Sequence, residues 1–413
     1  MKRVLLLLPV ASYRNEDFLA AARKLEVEVI PVADNCPQLA PGWGMGALSA
    51  VHFDQPLQAT QTILEHLPAA PDAVLAVDDH GLELAALLRE RLGLAGNAVA
   101  AVGLTRDKLA FRYLLQAHGF RCPAFQHVAN DADVQALARS LNYPVVVKAR
   151  RLSSSRGVVR ADNAEEFITA VRWVRAIQAR ADRESSELGV VVEAFIPGQE
   201  YALEGLLSAG ELKVLALFDK PDPLDGPYFE ETIYVTPSRL PQSLQAVIVE
   251  QVARACRIAG LTTGPVHAEM RVNAHGVWLL EVAARSIGGL CGRMLNHALG
   301  MSLEELVLRH ALGEPVPDIA TGDATAVMMI PIPKRGIYQG VRHVDAARAV
   351  PHIRGIQITT EPGALLLPAP EGASYLGFIF AQAETPQAAE HALRKAQHLL
   401  RFDIETEVPL VSV

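Results

Sequence analysis

The chain has 413 residues, of which half are hydrophobic and a fifth are charged, a composition ordinary for a globular enzyme of roughly two to four domains. Its formal net charge of −8 argues against a broad nucleic-acid-binding surface and favours small ligands held by local positive charge. No apolar run approaches the ~20 residues that cross a bilayer, and four scattered cysteines without a CxxC pair indicate buried or incidental thiols in a reducing compartment.

The N-terminal segment alternates predicted strands and helices. Residues 4–10 form an apolar run that imitates a short signal peptide, but the run is brief and a polar, helix-like stretch follows it. We therefore interpret it as a buried parallel strand. Further strands are expected at 26–32 and 73–77, with helices at 16–24 and 82–92. This alternation predicts an open parallel α/β domain over residues 1–104, and no GxGxxG follows the first strand to support a dinucleotide site.

Polar residues mark the starts of two predicted helices. Asp78 and Asp79 lie where a strand ends and a helix begins. Helix capping is the interpretation that this position favours, and contact with a substrate is the alternative. Thr105 is a natural N-cap for the helix that opens the second segment, and Gly119 is its stop.

A lysine and a serine-rich loop end the next predicted strand. Residues 143–148 read Tyr-Pro-Val-Val-Val-Lys, and a lysine at the end of a buried strand is costly unless an anion meets it. The loop at 150–158 contains arginines, serines and a glycine, whose N–H groups and hydroxyls suit phosphate oxygens, although no Walker motif is present. The pattern favours a phosphate site, with a surface lysine before an ordinary serine-rich turn as the alternative.

The second half of the chain predicts another sheet and then an α+β segment. A strand at 190–196 leads into an antiparallel hairpin of residues 201–207 and 211–218. A polar, proline-rich loop at 219–230 and a strand at 231–235 precede a long amphipathic helix at 242–259, which Gly260 ends. From about residue 323, short strands, Gly/Pro turns and a helix at 386–400 indicate a compact tail.

A second hairpin places two acids opposite each other. Two apolar-alternating runs flank a short polar turn near residue 276. With a three-residue loop, Asn273 pairs with Val277. Counting outward places Glu269 opposite Glu281, with Arg285 on the same face. Facing carboxylates repel unless a cation lies between them, so the register predicts a divalent-metal site, with an exposed hairpin of solvated acids as the alternative.

Taken in chain order, these residues resemble the ATP-grasp superfamily, which includes D-alanine–D-alanine ligase, biotin carboxylase and glycinamide ribonucleotide synthetase. The resemblance is carried by Lys108, Lys148, the loop from Ser153 to Gly157, Glu193, Glu200, Glu269, Glu281 and Arg285. Each motif is weak alone, but their order and spacing together are specific. The Ala-Arg-Ser-Ile-Gly-Gly turn at 284–289, the loop at 220–238 and the tail look most like the L-amino-acid ligases, which join two amino acids.

The resemblance implies an α/β and α+β fold in four parts. An N-terminal open parallel α/β domain would span 1–104. The two lobes of the grasp would span 105–190, with the phosphate loop, and 191–312, with the nucleotide and metal site. A small C-terminal α+β domain would span 313–413.

The resemblance also implies that the chain binds ATP. Lys108 and Lys148 would neutralise the phosphates, and the β- and γ-phosphates would lie under a loop formed by Ser153, Ser154, Ser155 and Gly157. Glu200 would hold the ribose hydroxyls. The adenine edge would meet Glu193 and the backbone of Ala194, Phe195 and Ile196.

The same resemblance assigns the metal and the reacting groups. Glu269 and Glu281 would hold Mg²⁺, or Mn²⁺ in its place. Arg285 would stabilise an acyl phosphate or bind the substrate carboxylate, and Lys148 would share in catalysis by neutralising charge. Further candidates for contact with the substrate are Glu231, His267, Gly288 and Gly289.

One position departs from the family pattern. Many relatives have Asn two residues after the second metal glutamate, where this chain has Ala283. An outer metal is therefore expected to bind more weakly or to hold more water. His267, opposite Ala283 in the predicted register, is a candidate substitute ligand; because Mg²⁺ prefers oxygen, a packed histidine is the alternative.

Four other residues near these motifs have open interpretations. Tyr228, Phe229 and Tyr234 either line the substrate pocket or pack within their own loop. Cys291 follows the glycine turn without a basic neighbour, and we interpret it as an inert thiol.

The activity that the resemblance implies is ATP-dependent ligation of a carboxylate to an amine through an acyl phosphate, with amino acids as the expected substrates. Two alternatives stay open: a related enzyme acting on bicarbonate or a sugar-phosphate amine, and a nucleotide-binding homologue that has lost catalysis, as Ala283 suggests. The expected partners are small molecules, neither nucleic acid nor membrane, and relatives are often homodimers. The expected location is the cytoplasm.

Overall fold

A computed structural model describes residues 1–10, 12–35, 47–181, 186–318, 322–372 and 374–406. Cys36 lies outside these ranges. No helix within them is long and apolar enough to span a membrane.

The N-terminal domain is built on a parallel sheet in which β1 (Arg3–Leu8) lies between β2 (Glu28–Ala33) and β3 (Ala73–Ala76). Alternate residues of β1 enter two cores, one under α1 (Asn15–Lys24) and the other under α2 (Pro56–His66) and α3 (Leu82–Leu92). A strand buried on both faces requires a continuous apolar run, which explains why its sequence imitates a signal peptide.

Two helices lead from this domain into the first lobe, α4 (Val99–Arg106) and α5 (Lys108–Ala117). The predicted N-cap Thr105 is wrong: it lies in the last turn of α4, where its hydroxyl donates to the carbonyl of Val102. The capping residue of α5 is Asp107, whose carboxylate accepts from the N–H groups of Leu109 and Ala110. Asp offers a charged acceptor at a helix N-terminus, and the helix starts two residues later than expected.

The first lobe is an antiparallel sheet in the order β4-β7-β5-β6, covered by two helices. Its elements are β4 (Phe125–Val128), α6 (Val134–Ser140), β5 (Val145–Ala149), β6 (Val158–Ala161), α7 (Ala164–Ala181) and β7 (Val190–Ala194). Because β7 pairs with β4 and β5, the expected boundary at residue 190/191 cuts a strand of this lobe. Lys148 occupies the penultimate position of β5.

The rest of the chain forms a second, larger sheet and a small third one. The strands are β8 (Gln199–Ser208), β9 (Glu211–Asp219), β10 (Ile233–Thr236), β11 (Gly264–Asn273), β12 (Gly276–Ala283), β13 (Ala324–Ile330), β14 (Gly336–Arg342), β15 (Ile353–Ile358), β16 (Leu365–Leu366), β17 (Gly377–Ala383) and β18 (Arg401–Glu405). The helices are α8 (Gln242–Ala259), α9 (Asn296–Leu299), α10 (Leu303–Ala311), α11 (Val344–Arg348) and α12 (Pro386–Leu399).

The larger sheet runs continuously from the second lobe into the C-terminal segment, in the order β12-β11-β8-β9-β10-β13-β17-β15. The two parts are joined by the antiparallel pair β10–β13, and side chains of both strands belong to the core of the C-terminal segment. The third sheet, β16-β14-β18, completes that segment. The expected tail thus shares its main sheet with the second lobe.

The hairpin of β11 and β12 reaches the predicted pairing by another route. Asn273 pairs with Gly276, so the loop has two residues and the predicted Asn273–Val277 pair is wrong. The Asn273 side chain accepts from the N–H of His275, and Gly276 has a φ of +116°, which together permit the tighter turn. A bulge at Leu280 then restores the register, so Glu269 lies opposite Glu281 as predicted.

We predict that Gly198, between β7 and β8, tolerates alanine poorly. Its φ is +123°, and an added Cβ would lie 2.4 Å from the carbonyl oxygen of Val272. Gly210, in the β8–β9 turn, has a φ of +85° with no atom within 4 Å of an added Cβ. Gly210→Ala should therefore lose only about 1–2 kcal/mol of unfolding free energy, the cost of a left-handed backbone, and Gly198→Ala should lose more.

Urea denaturation of the two variants beside the parent chain measures this difference. Equal losses for Gly198→Ala and Gly210→Ala would show that the approach of Val272 does not constrain the turn.

Candidate active site

The predicted site residues meet in one cleft between the two lobes. Its lining includes Lys108, Lys148, Ser153, Ser154, Ser155, Glu193, Ala194, Phe195, Ile196, Glu200, Glu231, His267, Glu269, Glu281, Arg285, Gly288 and Gly289. Gly157 is outside this lining, and its N–H donates to the carbonyl of Pro370 in the C-terminal segment.

The two predicted phosphate lysines enter the cleft from different elements. Lys108 is the first residue of α5, and its Nζ donates to the carbonyl of Leu152 at 2.6 Å and lies 3.6 Å from Oε2 of Glu281. Lys148 reaches in from β5 and donates to Glu193 at 2.7 Å. Burial lowers the pKa of the Lys148 ammonium, and the Glu193 carboxylate opposes that effect. Both cations are thus held where an anion can approach them.

Glu193 is the buried partner of two cations. Arg112, which we did not predict, donates from Nε to Oε1 of Glu193 at 2.7 Å and from a terminal nitrogen to Oε2 at 3.2 Å. Burial alone would raise the pKa of the Glu193 carboxyl, but Arg112 and Lys148 outweigh it and lower the pKa to about 2. Arg112 lies four residues after Lys108 on the same helix face, a spacing that could have identified it.

The serine loop has an unusual backbone. Ser154 and Ser155 have φ values of +57° and +54°, in the left-handed region that non-glycine residues seldom adopt. Strained backbone of this kind costs about 1–3 kcal/mol per residue and is concentrated at functional sites. The conformation supports a role in ligand binding for this loop.

The expected adenine end is apolar, and part of its predicted hydrogen bonding is already in use. The N–H of Ala194 donates to Ala124, and the N–H of Phe195 donates to Pro144. The carbonyl of Ile196 accepts from Arg271 at 2.8 Å. These two N–H groups and this carbonyl already bind the protein. The predicted hydrogen bonds to adenine would therefore have to come from the other backbone groups of residues 194–196.

Three acids surround a buried lysine that the sequence analysis missed. Oxygen atoms of Glu200, Glu231 and Glu269 lie within 4.8 Å of one another. Lys220 donates to Glu200 at 2.6 Å and also to Glu231, and its Nζ is 3.6 Å from Glu269. Burial would lower the pKa of Lys220, but the three carboxylates raise it well above its usual value. Lys220 directly follows buried strand β9, the same signal that identified Lys148.

Glu269 and Glu281 fit a divalent cation. They face each other across the β11–β12 pair, and their side chains are 25% and 29% exposed. The nearest lysine ammonium lies 3.6 Å from each, Lys220 for Glu269 and Lys108 for Glu281. That separation is longer than a direct hydrogen bond, so carboxylate oxygens remain for a hard cation such as Mg²⁺.

His267 is a packed, charged histidine between two acids. Its Nδ1 lies 3.0 Å from Glu204 and its Nε2 lies 3.5 Å from Glu269. Burial would lower the pKa of the imidazole, but the hydrogen bonds to Glu204 and Glu269 raise it to about 9. A doubly protonated ring has no lone pair for a metal, so the geometry favours the packed alternative.

Arg285 is oriented by an acid of the N-terminal domain. Its Nε donates to Oδ2 of Asp79 at 2.7 Å. Asp78 accepts from the N–H of His80, so helix capping holds for Asp78 and Asp79 has another role. Burial would raise the pKa of the Asp79 carboxyl, and the charge of Arg285 reverses that effect and lowers it. No sequence signal linked these two residues, which are 206 positions apart.

The open interpretations near the cleft now separate. Tyr234 and Phe229 line it, and the hydroxyl of Tyr234 donates to Glu231 at 2.8 Å. Tyr228 packs edge-to-face on Trp173, with ring centroids 5.6 Å apart. Cys291 also lines the cleft, and burial raises the pKa of its thiol, in agreement with an inert side chain.

Two family models match the chain. One, described as an ATP-grasp domain, covers residues 141–294, and the other, described as L-amino acid ligase C-terminal domain 2, covers residues 328–405. Among solved structures, an L-amino acid ligase from Bacillus licheniformis aligns over 98% of this chain and 99% of that chain, with a TM-score of 0.79 and 24% identity. At that identity the structural likeness concerns the fold.

Curated relatives include enzymes that are named as ligases or synthases. The chain is 31% identical over 222 residues to a D-alanine–D-alanine ligase of Ectopseudomonas mendocina, which covers 52% of this chain and 66% of that protein. It is 30% identical over 270 residues to carnosine synthase 1 of Gallus gallus, which covers 62% of this chain and 29% of that protein. The chain therefore spans less than two thirds of the length of these relatives.

We predict that the Arg112–Glu193 pair makes unfolding pH-dependent. A carboxyl with a depressed folded-state pKa stabilises the fold above its unfolded pKa of about 4.3, and this contribution is lost as the pH falls toward 2. Arg112→Met should cost about 3–5 kcal/mol near pH 7 because it breaks a buried ion pair. Below pH 4.5 the difference in unfolding free energy between the parent chain and Arg112→Met, which we call the deficit, should shrink by up to about 1.4 kcal/mol per pH unit.

Urea unfolding at pH 7, 5, 4 and 3.5 measures this deficit. The matched control is Arg3→Met, which breaks the exposed Arg3–Glu28 pair and should cost at most about 1 kcal/mol. A deficit for Arg112→Met that stays constant with pH would contradict the low pKa of Glu193.

Proposed function

We propose that this chain, which belongs to the ATP-grasp superfamily and carries the C-terminal domain of the L-amino acid ligases, is an ATP-dependent carboxylate–amine ligase. The reaction would join an acid and an amine as an amide, with amino acids as the expected substrates, and release ADP and phosphate. The activity and the substrates are both part of the proposal, because the curated relatives extend beyond the matched region. Since the reaction consumes ATP, we also propose a cytoplasmic location.

The observation that carries the proposal is the convergence of charge in one cleft. Lys108 comes from α5, Lys148 from the first lobe, Glu269 and Glu281 from the second, and Arg285 from the turn beyond them. The two lysines and the facing Glu269 and Glu281 suit a phosphate chain with a divalent cation. If the two lysines bind the phosphates, Arg285 remains to bind a second anionic ligand.

In the first step, a carboxylate oxygen of the acid would attack the γ-phosphorus of ATP. The bond between that phosphorus and the bridging oxygen would break, ADP would leave, and the acid would become an acyl phosphate. Lys108 and Lys148 would neutralise the phosphates, and the serine loop would exclude water. Catalysis of this kind consists of positioning and charge stabilisation.

In the second step, the amine nitrogen would attack the acyl carbon. The carbonyl oxygen would become an oxyanion, the bond to the phosphate oxygen would break, and the nitrogen would lose a proton to the released phosphate or to water. Arg285 would stabilise the oxyanion, and the N–H groups near Gly288 and Gly289 would approach it without a side chain in the way.

Glu269 and Glu281 would hold the Mg²⁺ or Mn²⁺ ion, which when bound neutralises phosphate charge. Their facing carboxylates supply hard oxygen ligands. Ala283 supplies none, so we expect water at the position that Asn has in many relatives. His267 would support Glu269 by hydrogen bonding.

The substrate end of the cleft supports an amino acid with an apolar side chain. Arg285 would complement its carboxylate. Lys220 and Tyr234 both donate to Oε1 of Glu231, which leaves Oε2 for an ammonium group. The wall around these charges is formed by Ile287, Cys291, Met329 and Tyr375.

We predict that ADP accumulates over many turnovers only when both an acid and an amine are supplied. Purified chain with ATP and Mg²⁺ would be tested against pooled amino acids by a coupled ADP assay, with the amide product identified by mass spectrometry. Bicarbonate and sugar-phosphate amines serve as the comparison set. ADP release with the comparison set alone would contradict the ligase proposal. The absence of ADP release with every acid–amine pair would also contradict it.

We predict that Lys148→Ala and Glu281→Gln each lower kcat by at least about 100-fold, because each removes charge complementary to the transition state. Cooperative melting should persist in both. The matched controls are Lys213→Ala and Glu314→Gln, whose ion pairs with Asp318 and Arg309 lie at the surface. Near-normal turnover in either site variant would remove that residue from the proposed mechanism.

A further inference from the structure

Three consecutive residues of the turn that carries Arg285 are each bound by a different charged side chain. We propose that Asp79, Arg14 and Glu204 are positioning residues that fix Arg285, Ser286 and Ile287 respectively. Their role rests on the proposed function of Arg285. The three come from the N-terminal domain and from β8, so they would set the turn from two sides of the cleft.

Asp79 fixes the guanidinium of Arg285. The Nε–Oδ2 distance is 2.7 Å, and the two side chains are 20% and 13% exposed. A terminal nitrogen of Arg285 also donates to the carbonyl of Ser286 at 3.1 Å. Nε and one terminal nitrogen of the guanidinium are thus bound by the protein, and the other terminal nitrogen remains for a ligand in the cleft that Arg285 lines.

Arg14 fixes the next residue and joins it to the strand end that carries Asp79. One terminal nitrogen donates to Oγ of Ser286 at 2.7 Å and the other to the carbonyl of Val77 at 3.2 Å. Glu304 neutralises it at 3.0 Å, and the guanidinium lies over the Phe18 ring. Arg14 is only 2% exposed. One buried side chain therefore joins Ser286 to the backbone two residues before Asp79.

Glu204 fixes the third residue and the metal-ligand strand together. Its Oε2 accepts from the N–H of Ile287 at 3.0 Å and lies 3.0 Å from Nδ1 of His267, whose other nitrogen faces Glu269. Glu204 is fully buried. A single carboxylate therefore fixes the distance between the Arg285 turn and β11.

A general role in stability does not explain this arrangement well. Buried ion pairs contribute little net stability, because desolvation offsets their attraction. The Arg293–Asp17 pair provides the contrast: it also joins α1 to the segment after the glycine turn, at 2.7 and 2.9 Å, but it contacts none of residues 285–287. Three charged side chains, two of them buried, bind successive residues of the turn that carries the proposed catalytic arginine, and precision of placement explains this better.

The test compares Asp79→Asn with its matched control Asp17→Asn in the full chain. We expect Asp79→Asn to speed hydrogen–deuterium exchange of the 284–290 peptide severalfold and to lower kcat about 10–100-fold, while the Kd for Mg-ADP changes less than twofold. Asp17→Asn should leave all three at parent values. Arg14→Lys and Glu204→Gln should repeat the exchange effect, and Arg14→Lys should lose less kcat than Arg14→Met.

Each outcome decides the proposal. Unchanged exchange at 284–290 in Asp79→Asn, faster exchange without loss of kcat, or a loss of Mg-ADP affinity in proportion to kcat would overturn it. If the parent chain releases no ADP with any acid–amine pair, the ligase proposal fails. The exchange and Mg-ADP measurements, which need neither substrate, then still decide whether these residues hold the turn without holding the nucleotide.

Discussion

The cleft depends on one constraint: each buried charge has to meet an opposite charge supplied by another part of the chain. Glu193 on β7 is neutralised by Arg112 from α5 and by Lys148 from β5. Lys220, which follows β9, neutralises Glu200 on β8. Arg285 is paired with Asp79 of the N-terminal domain. An unpaired ion in such a place costs several kcal/mol, so the lobes and the N-terminal domain are adjusted to each other through these pairs.

Periodicity and strand-end signals are local, so they predict single helices and strands. The fold and most of the site residues were predicted from the resemblance of the motif order to the ATP-grasp superfamily. The ATP-grasp fold is confirmed, and the helix over 242–259 has the predicted bounds. Glu269 and Glu281 face each other as predicted, although the two-residue turn and the bulge at Leu280 were not foreseen. Two departures of one residue cancelled each other, so the correct pairing came partly from compensation. A bulge leaves no clear mark in a sequence.

What could not be predicted are the partners that come from distant parts of the chain. Asp79 and Arg285 are 206 positions apart, and they meet only when the N-terminal domain packs against the second lobe. Lys220 is different, since it follows a buried strand as Lys148 does, and the same rule applied twice would have found it. The predicted boundary at 312/313 lies between β10 and β13, which pair in one sheet, and no local signal in the sequence predicts that pairing.

That pairing has a mechanical consequence. The second lobe and the C-terminal segment share one sheet, so neither can rotate against the other without breaking main-chain hydrogen bonds. The first lobe has its own sheet and core, and within the part of the chain that the structure describes its strand pairing with the rest is limited to the isolated bridge between Val159 and Tyr228. Of the two lobes that enclose the cleft, the first lobe, which carries the serine loop, is therefore the one that can move as a rigid body. The second lobe and the C-terminal segment stay fixed to each other.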